Sequence, residues 1–293
     1  MTLLMFGTLI STAIRHGRAD GQPSAHAGLV IRSVCAPTAP APAVFEPKFY
    51  LLLQGTKRMT IAGRNFECDS GTCAVASVGL PFVSEVVQAS AIKPYLSVEL
   101  KLDAGIVAGL LLDMGEAGAV ERPSGALSVG RADKSIVEPL ARLLGLLDAP
   151  SEIPVLATQL ERELYYRLLS SPMGGRLRQI GERNARFAQI KMAVEWLSAN
   201  ANEPMSVEWL ASHVGMSLTS FHRHFKAVTS CSPLAYQRQI RLLDARRRLA
   251  SGTANVTETA FATGYVSASQ FSREYKKAFG TPPKRDALLL RRP

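Results

Sequence analysis

The stretch MSLTSFHRHFKAVTSCSP at residues 216–233 returns fifty positions later as VSASQFSREYKKAFGTPP at 266–283. A match at so fixed an interval restricts the fold, because one short structural unit must be built twice. The offset pairs Ser217 with Ser267, Phe221 with Phe271, Arg223 with Arg273, Phe225 with Tyr275, Lys226 with Lys276 and Pro233 with Pro283. Each copy opens on a serine suited to cap a helix, and its apolar residues recur at i, i+3, i+7 and i+10. These are Leu218, Phe221, Phe225 and Val228 in the first copy and Ala268, Phe271, Tyr275 and Ala278 in the second. Both copies read as amphipathic helices with one buried face.

The opposite faces are short, polar and cationic. Thr219, His222, Arg223 and Lys226 share one stripe, and Ser269, Ser272, Arg273 and Lys276 share the other. Arginine forks two hydrogen bonds to a guanine edge, while serine, threonine and lysine reach bases or phosphates, so these faces suit a helix lying in a major groove. Upstream of each copy stands a second helical pattern with a glycine-containing turn, SVEWLASHVGM from Ser206 and NVTETAFATGY from Asn255. The spacing predicts two helix-turn-helix units, at about 206–226 and 256–277, joined by a long helix over PLAYQRQIRLLDARRRLASG.

These phrases resemble the DNA-binding domain of AraC/XylS-type transcription regulators over residues 183–293, most specifically in RLLDARRRLA and FATGYVSASQFSREYKKAFGTPP. The resemblance implies a sequence-specific DNA-binding regulator whose two recognition helices enter successive major-groove segments of double-stranded DNA. It puts base-facing roles on Thr219, His222 and Arg223 in the first helix and on Ser269, Gln270 and Arg273 in the second. Lys226 and Lys276 are expected on phosphate, and the second helix is expected to be the weaker reader.

Charge divides the chain in the same place. From Arg176 onward there are 19 Lys+Arg against 8 Asp+Glu, a net +11, whereas residues 1–175 hold 15 against 16, a net −1. A basic segment beside a neutral one fits a polyanion-binding module attached to a domain with another task. No apolar run approaches the ~20 residues needed to span a bilayer, so no membrane role is expected. The N-terminal MTLLMFGTLISTAIRHG places its basic residues after the apolar run, which predicts a helix packed on the first domain rather than a secretion signal. Cys35, Cys68, Cys73 and Cys231 lack metal or redox spacing and predict free thiols in a cytoplasmic setting.

Residues 27–102 carry short β-rich runs, KFYLLLQG, RMTIAG, CAVASVG, VSEVVQAS and YLSVELKL, separated by turn formers. They predict a small antiparallel barrel or sandwich, and the stretch is similar to the cupin-like N-terminal domain of one AraC-type subgroup. The fold class expected is thus α+β in two domains. Residues 1–175 form a β domain with flanking helices for effector sensing and dimerisation, and the C-terminal domain is all-α. SSPMGGRLRQIG, at 170–181, reads as the hinge between them.

No histidine lies between His26 and His213, and neither a phosphate-cradling glycine loop nor a nucleophile elbow is found, so no metal, cofactor or enzymatic activity is expected. A small-molecule effector pocket is the remaining function for the β domain, with Gln54, Arg58, Lys93, Tyr95 and Glu99 as candidate contacts. Leucine stripes at Leu140, Leu143, Leu144, Leu147 and at Leu156, Leu160, Leu164, Leu168 suit either a cover for that domain or a homodimer interface. The expected partners are double-stranded DNA, a second copy of the chain, RNA polymerase and an unidentified effector. The alternative is a constitutive DNA-binding or architectural protein whose N-terminal domain only dimerises.

Overall fold

The computed structural model describes residues 2–19, 21–61, 64–115, 127–181, 185–252 and 254–290. The boundary expected near residue 183 falls outside the described residues.

A helix α1 (Thr2–His16) precedes eight strands: β1 (Leu29–Val34), β2 (Ala41–Phe45), β3 (Lys48–Gln54), β4 (Thr56–Ile61), β5 (Arg64–Cys68), β6 (Thr72–Ala76), β7 (Leu80–Gln88) and β8 (Tyr95–Lys101). Then come α2 (Ala104–Met114), β9 (Leu127–Arg131), α3 (Lys134–Gly145), α4 (Ile153–Leu169) and α5 (Gly174–Gly181). All ladders are antiparallel, in two sheets ordered β1-β8-β3-β6-β9 and β2-β7-β4-β5. The five-stranded sheet is covered on both faces, so β3 and β6 are apolar at nearly every position. Period-two alternation sends Phe49, Leu51 and Leu53 toward the helices and Tyr50 and Leu52 toward the other sheet. Leu96, Val98 and Leu100 share the helix-side face, as their spacing predicts.

Leu9 and Ala13 seat α1 in this helix-side core, together with Leu140, Leu143, Leu144 and Leu147 of α3 and its extension. On α4 the buried face passes through Ala157, Leu164, Tyr165 and Leu168, and Leu156 turns outward at 42% exposure. A strict four-residue repeat drifts around a helix of 3.6 residues per turn, which is why one end of that leucine stripe leaves the core.

The segment read as a hinge is instead ordered. α5 packs on α2, α4 and β6, and both Gly174 and Gly175 are buried. A Cβ at Gly174 would meet the Leu169 carbonyl oxygen at 2.1 Å, and one at Gly181 would meet Val107 Cγ1 at 2.6 Å. These glycines provide close approach between elements, which the sequence does not distinguish from freedom of motion.

The C-terminal part contains only helices among the described residues: α6 (Ala185–Ala199), α7 (Val207–His213), α8 (Leu218–Thr229), α9 (Pro233–Ser251), α10 (Val256–Ala262), α11 (Ala268–Phe279) and α12 (Pro283–Leu290). α7 and α8 form the first helix-turn-helix unit, α10 and α11 the second, and α9 the connecting helix. Among the described residues the first unit shows no separate core. Leu210, Phe221, Phe225 and Tyr236 join Phe45, Tyr50, Phe82 and Tyr95 from between the sheets in one continuous buried cluster. The second unit closes separately around Leu242, Leu249, Tyr265, Phe271 and Tyr275.

Candidate nucleic-acid interface and effector domain

Each recognition helix is oriented by its aromatic residues. Phe221, Phe225 and Thr229 bury one face of α8; Phe271 and Tyr275 bury one face of α11, with Phe279 half-buried beside them. The buried rows thus advance by four, not three then four. As a result Leu218 is 38% exposed, and Ala278, expected inside, is exposed. Thr219, His222, Arg223 and Lys226 are all exposed on α8, as are Ser269, Gln270, Arg273 and Lys276 on α11; Ser272 is half-buried.

The turns are built as glycine turns require. Gly215 and Gly264 lie at φ +71° and +76°, and a Cβ at Gly264 would stand 2.3 Å from the Asn202 carbonyl oxygen. Caps define the helix starts: Ser206 accepts from Trp209 N, Ser267 from Gln270 N, and Asn255 forms a reciprocal capping box with Glu258. On α8, His224 Nε2 lies 3.5 Å from Arg223 Nη2. Burial, with the Arg223 and Arg186 charges, holds that imidazole below its ordinary pKa, so it faces the guanidinium as a neutral group. On α11, Gln270 Nε2 donates to Glu274 Oε1 at 3.2 Å, and Tyr265 and Arg238 also hold Glu274.

The register of the two readers is fixed by Arg241 of α9, which the sequence reading did not single out. Its Nε and Nη2 donate to the Ala201 and Glu203 carbonyls at 2.6 and 2.9 Å, and its Nη1 to Gly264 in the second turn at 2.9 Å. One guanidinium therefore ties the loop after α6 to the second unit.

In the N-terminal domain the five candidate effector contacts separate. Tyr95 and Glu99 face the space between the sheets, where Tyr95 Oη meets Tyr50 Oη at 3.0 Å and Glu99 accepts from Lys48 Nζ at 2.5 Å. Gln54 and Lys93 line a cleft of about 660 Å³ at one end of the sandwich, with Gln54 donating to the Pro94 carbonyl at 2.8 Å. Arg58 stands on the outer face of β4, paired with Glu85 at 2.6 Å. The next residue along the strand, Lys57, points inward instead and is 8% exposed. Burial lowers its pKa from 10.5 to about 8. A lysine within TKRMTI carries no sequence mark of this placement beyond the alternation itself.

Cys68 and Cys73 do not form a pair. Cys68 lies between the sheets, and Cys73 faces the helices with its Sγ 3.6 Å from Met173 Sδ. Burial pushes the two thiols up to about 11 and about 12, away from thiolate reactivity. Among the described residues, no helix is long and apolar enough to cross a membrane.

Comparison with known proteins gives this geometry its family. Residues 25–176 match the family described as AraC-type transcriptional regulator N-terminus, and residues 210–286 match a helix-turn-helix domain. The chain is 28% identical to HTH-type transcriptional activator RhaS of Escherichia fergusonii over 164 residues, covering 54% of this chain and 59% of that protein. It is 34% identical to RhaS of Pectobacterium atrosepticum over 95 residues, covering 32% and 34%. The chain spans about half the length of the curated relatives it matches. In fold it resembles unsaturated fatty acid-bound wild-type ToxT from Vibrio cholerae strain SCE256, with a TM-score of 0.52, 9% identity and coverage of 89% of this chain and 93% of that one. With the N-terminal match spanning more than half of its length and the helix-turn-helix match following it, the chain belongs to the AraC-type transcriptional regulators.

Proposed function

We propose that this chain is a sequence-specific regulator of transcription that reads duplex DNA with α8 and α11 and is controlled by a small molecule bound in its N-terminal domain. The observation that carries the DNA reading is the pair of exposed stripes, Thr219, His222, Arg223, Lys226 and Ser269, Gln270, Arg273, Lys276, each opposite a buried aromatic face in the basic half of the chain. Arg223 and Arg273 take base edges, and Lys226 and Lys276 take phosphate.

Control by an effector has a physical route. Tyr236 of α9 donates to the Gly79 carbonyl at 3.1 Å, and its ring packs edge-on against Phe225 of α8 at 5.8 Å. A ligand that repacks the space between the sheets therefore acts on a cluster that also seats the first reader, provided it binds the two arrangements unequally. The ToxT structure with a bound fatty acid supports a small-molecule effector in this fold. We place the protein in the cytoplasm as a homodimer, with RNA polymerase as the contact made from the promoter.

Fluorescence anisotropy with the full chain, a labelled duplex and a labelled single strand, at two salt concentrations, tests the DNA reading. Preferential duplex binding whose affinity falls steeply with salt is expected. Equal affinity for both strand forms would overturn it.

A further inference from the structure

Three cations and one carboxylate face the space between the sheets. On β8 the inward row is Tyr95, Ser97 and Glu99; Arg32 of β1 pairs with Ser97 across the ladder and shares its face; Lys48 stands on β3. From the opposite sheet Lys57 brings its ammonium to 5.6, 5.7 and 5.9 Å from the ring centres of Tyr50, Phe82 and Tyr95. Glu99 is taken by Lys48 at 2.5 Å, and the hydrogen bond of Arg32 goes to the Ala19 carbonyl at 3.5 Å. The Lys57 ammonium has three donors and no hydrogen-bond acceptor among the described residues, only ring faces. One inward step along β8 from Tyr95, the Ser97 hydroxyl is fully buried and also without a partner.

An ammonium held against three aromatic faces keeps part of its lost hydration through cation–π attraction, yet no protein acceptor among the described residues takes its N–H groups. A buried charge is tolerated when it is paired, and among the described residues no carboxylate hydrogen-bonds to Lys57, Glu99 being engaged by Lys48. The rings, with Met59 and Val86 in the same cluster, leave an apolar wall around those donors. Such a setting matches an amphipathic anion: two oxygens for an ammonium and a hydroxyl, and an apolar body for the rings.

We infer that the effector is a small carboxylate with an apolar body, bound between the two sheets with its carboxylate on Lys57. This rests on the reading that the N-terminal domain takes a small-molecule effector. The cleft lined by Gln54, Gly55, Gln88 and Lys93 lies beside this layer, where Gly55 (φ +88°) brings the β3–β4 turn against Tyr95.

The test is calorimetric titration of the full chain with octanoate and benzoate against their uncharged counterparts 1-octanol and benzamide. The wild type is compared with Lys57→Met and the charge-preserving Lys57→Arg, with thermal melting of each variant to verify folding. One charge-assisted contact predicts that at least one carboxylate binds roughly 10- to 100-fold tighter than its uncharged counterpart, with Lys57→Met losing that margin and Lys57→Arg keeping most of it. If uncharged counterparts bind equally well, or Lys57→Met binds carboxylates as the wild type does, the charge assignment is overturned while the effector reading stands. If neither class binds and duplex affinity never responds, both are contradicted.

Discussion

The two helix-turn-helix units descend from one pattern and are anchored in opposite ways. At the fifty-residue offset, Phe225 corresponds to Tyr275 and Tyr236 to Asp286. In the second unit the phenol is on the recognition helix: Tyr275 Oη donates to Asp286 Oδ2 at 2.7 Å, and Arg246 Nε reaches the same carboxylate at 2.8 Å, with Arg246 and Asp286 almost fully buried. In the first unit the phenol has moved to α9, and Tyr236 spends its hydroxyl on Gly79 of the sheet domain and on Ser198. The second unit thus satisfies its polar core internally, while the first completes its core with the N-terminal domain. Recognition helices built on one shared pattern teach little about which reader a sensor governs; the residue behind each helix does.

The largest expected effect breaks the second unit alone. Asp286→Ala strands a buried guanidinium and a buried phenol, at a cost of about 3–5 kcal/mol. Hydrogen exchange is expected to speed up in α11 and the end of α9 while α8 keeps its protection; equal loss in both units would show a shared core. Next in size is Lys57, in the core that the first unit shares. Its folded pKa of about 8 lies below the ordinary 10.5, so the unfolded chain holds the proton more tightly. Stability is therefore reduced at neutral pH and rises as pH climbs from 8 to 10.5, by roughly 3 kcal/mol over that window. Urea unfolding at pH 7 and at about pH 9.5 is expected to show most of this gain in the transition that includes the sheets, none of it in the second unit, and none in Lys57→Met.

Among the readers themselves, Arg223→Ala is expected to cost about 1–3 kcal/mol on a cognate site and to relax one base preference, with Arg273→Ala costing less. Anisotropy on matched and mismatched duplexes measures both, and a larger loss from Arg273→Ala would reverse the ranking. Tyr236→Phe removes the hydroxyl that bridges the two domains, worth about 1 kcal/mol, and is expected to weaken protection around Gly79 without touching α11. The smallest change concerns the helix ends. Ser230 closes α8 at φ +65°, whereas Gly280 closes α11 at φ +74°. Ser230→Gly is expected to stabilise the first unit by about 1 kcal/mol in a thermal melt, and the mirror change Gly280→Ser to destabilise the second.

The readers were legible because a duplicated pattern with helical periodicity carries its own control: Phe221, Phe225, Phe271 and Tyr275 identify the buried face, and the exposed stripe follows. Among the strands, the alternating and continuous apolar runs of β3, β4, β6, β7 and β8 were visible. β2 was not, since APAVF carries a proline and lies on a sheet edge with only Phe45 fully buried. The layer between the sheets was only half legible. Tyr95 and Glu99 were named, but Lys57 was passed over for its neighbour Arg58, because a one-residue step decides the face and the register comes from pairing with β7 rather than from local sequence. Arg241, Arg246 and Tyr236 act through contacts 23 to 157 residues away, and no local pattern encodes those.

The claim that two helices of one chain both read DNA is met most directly by selecting random duplexes with the full-length protein at two salt concentrations and sequencing what is retained. The account predicts a motif with two information-rich blocks about one helical turn apart, of which Arg223→Ala erases positions in one and Arg273→Ala positions in the other. Retention without any motif, vanishing at the higher salt, would contradict it and leave the duplicated helices as a basic surface that holds the backbone alone.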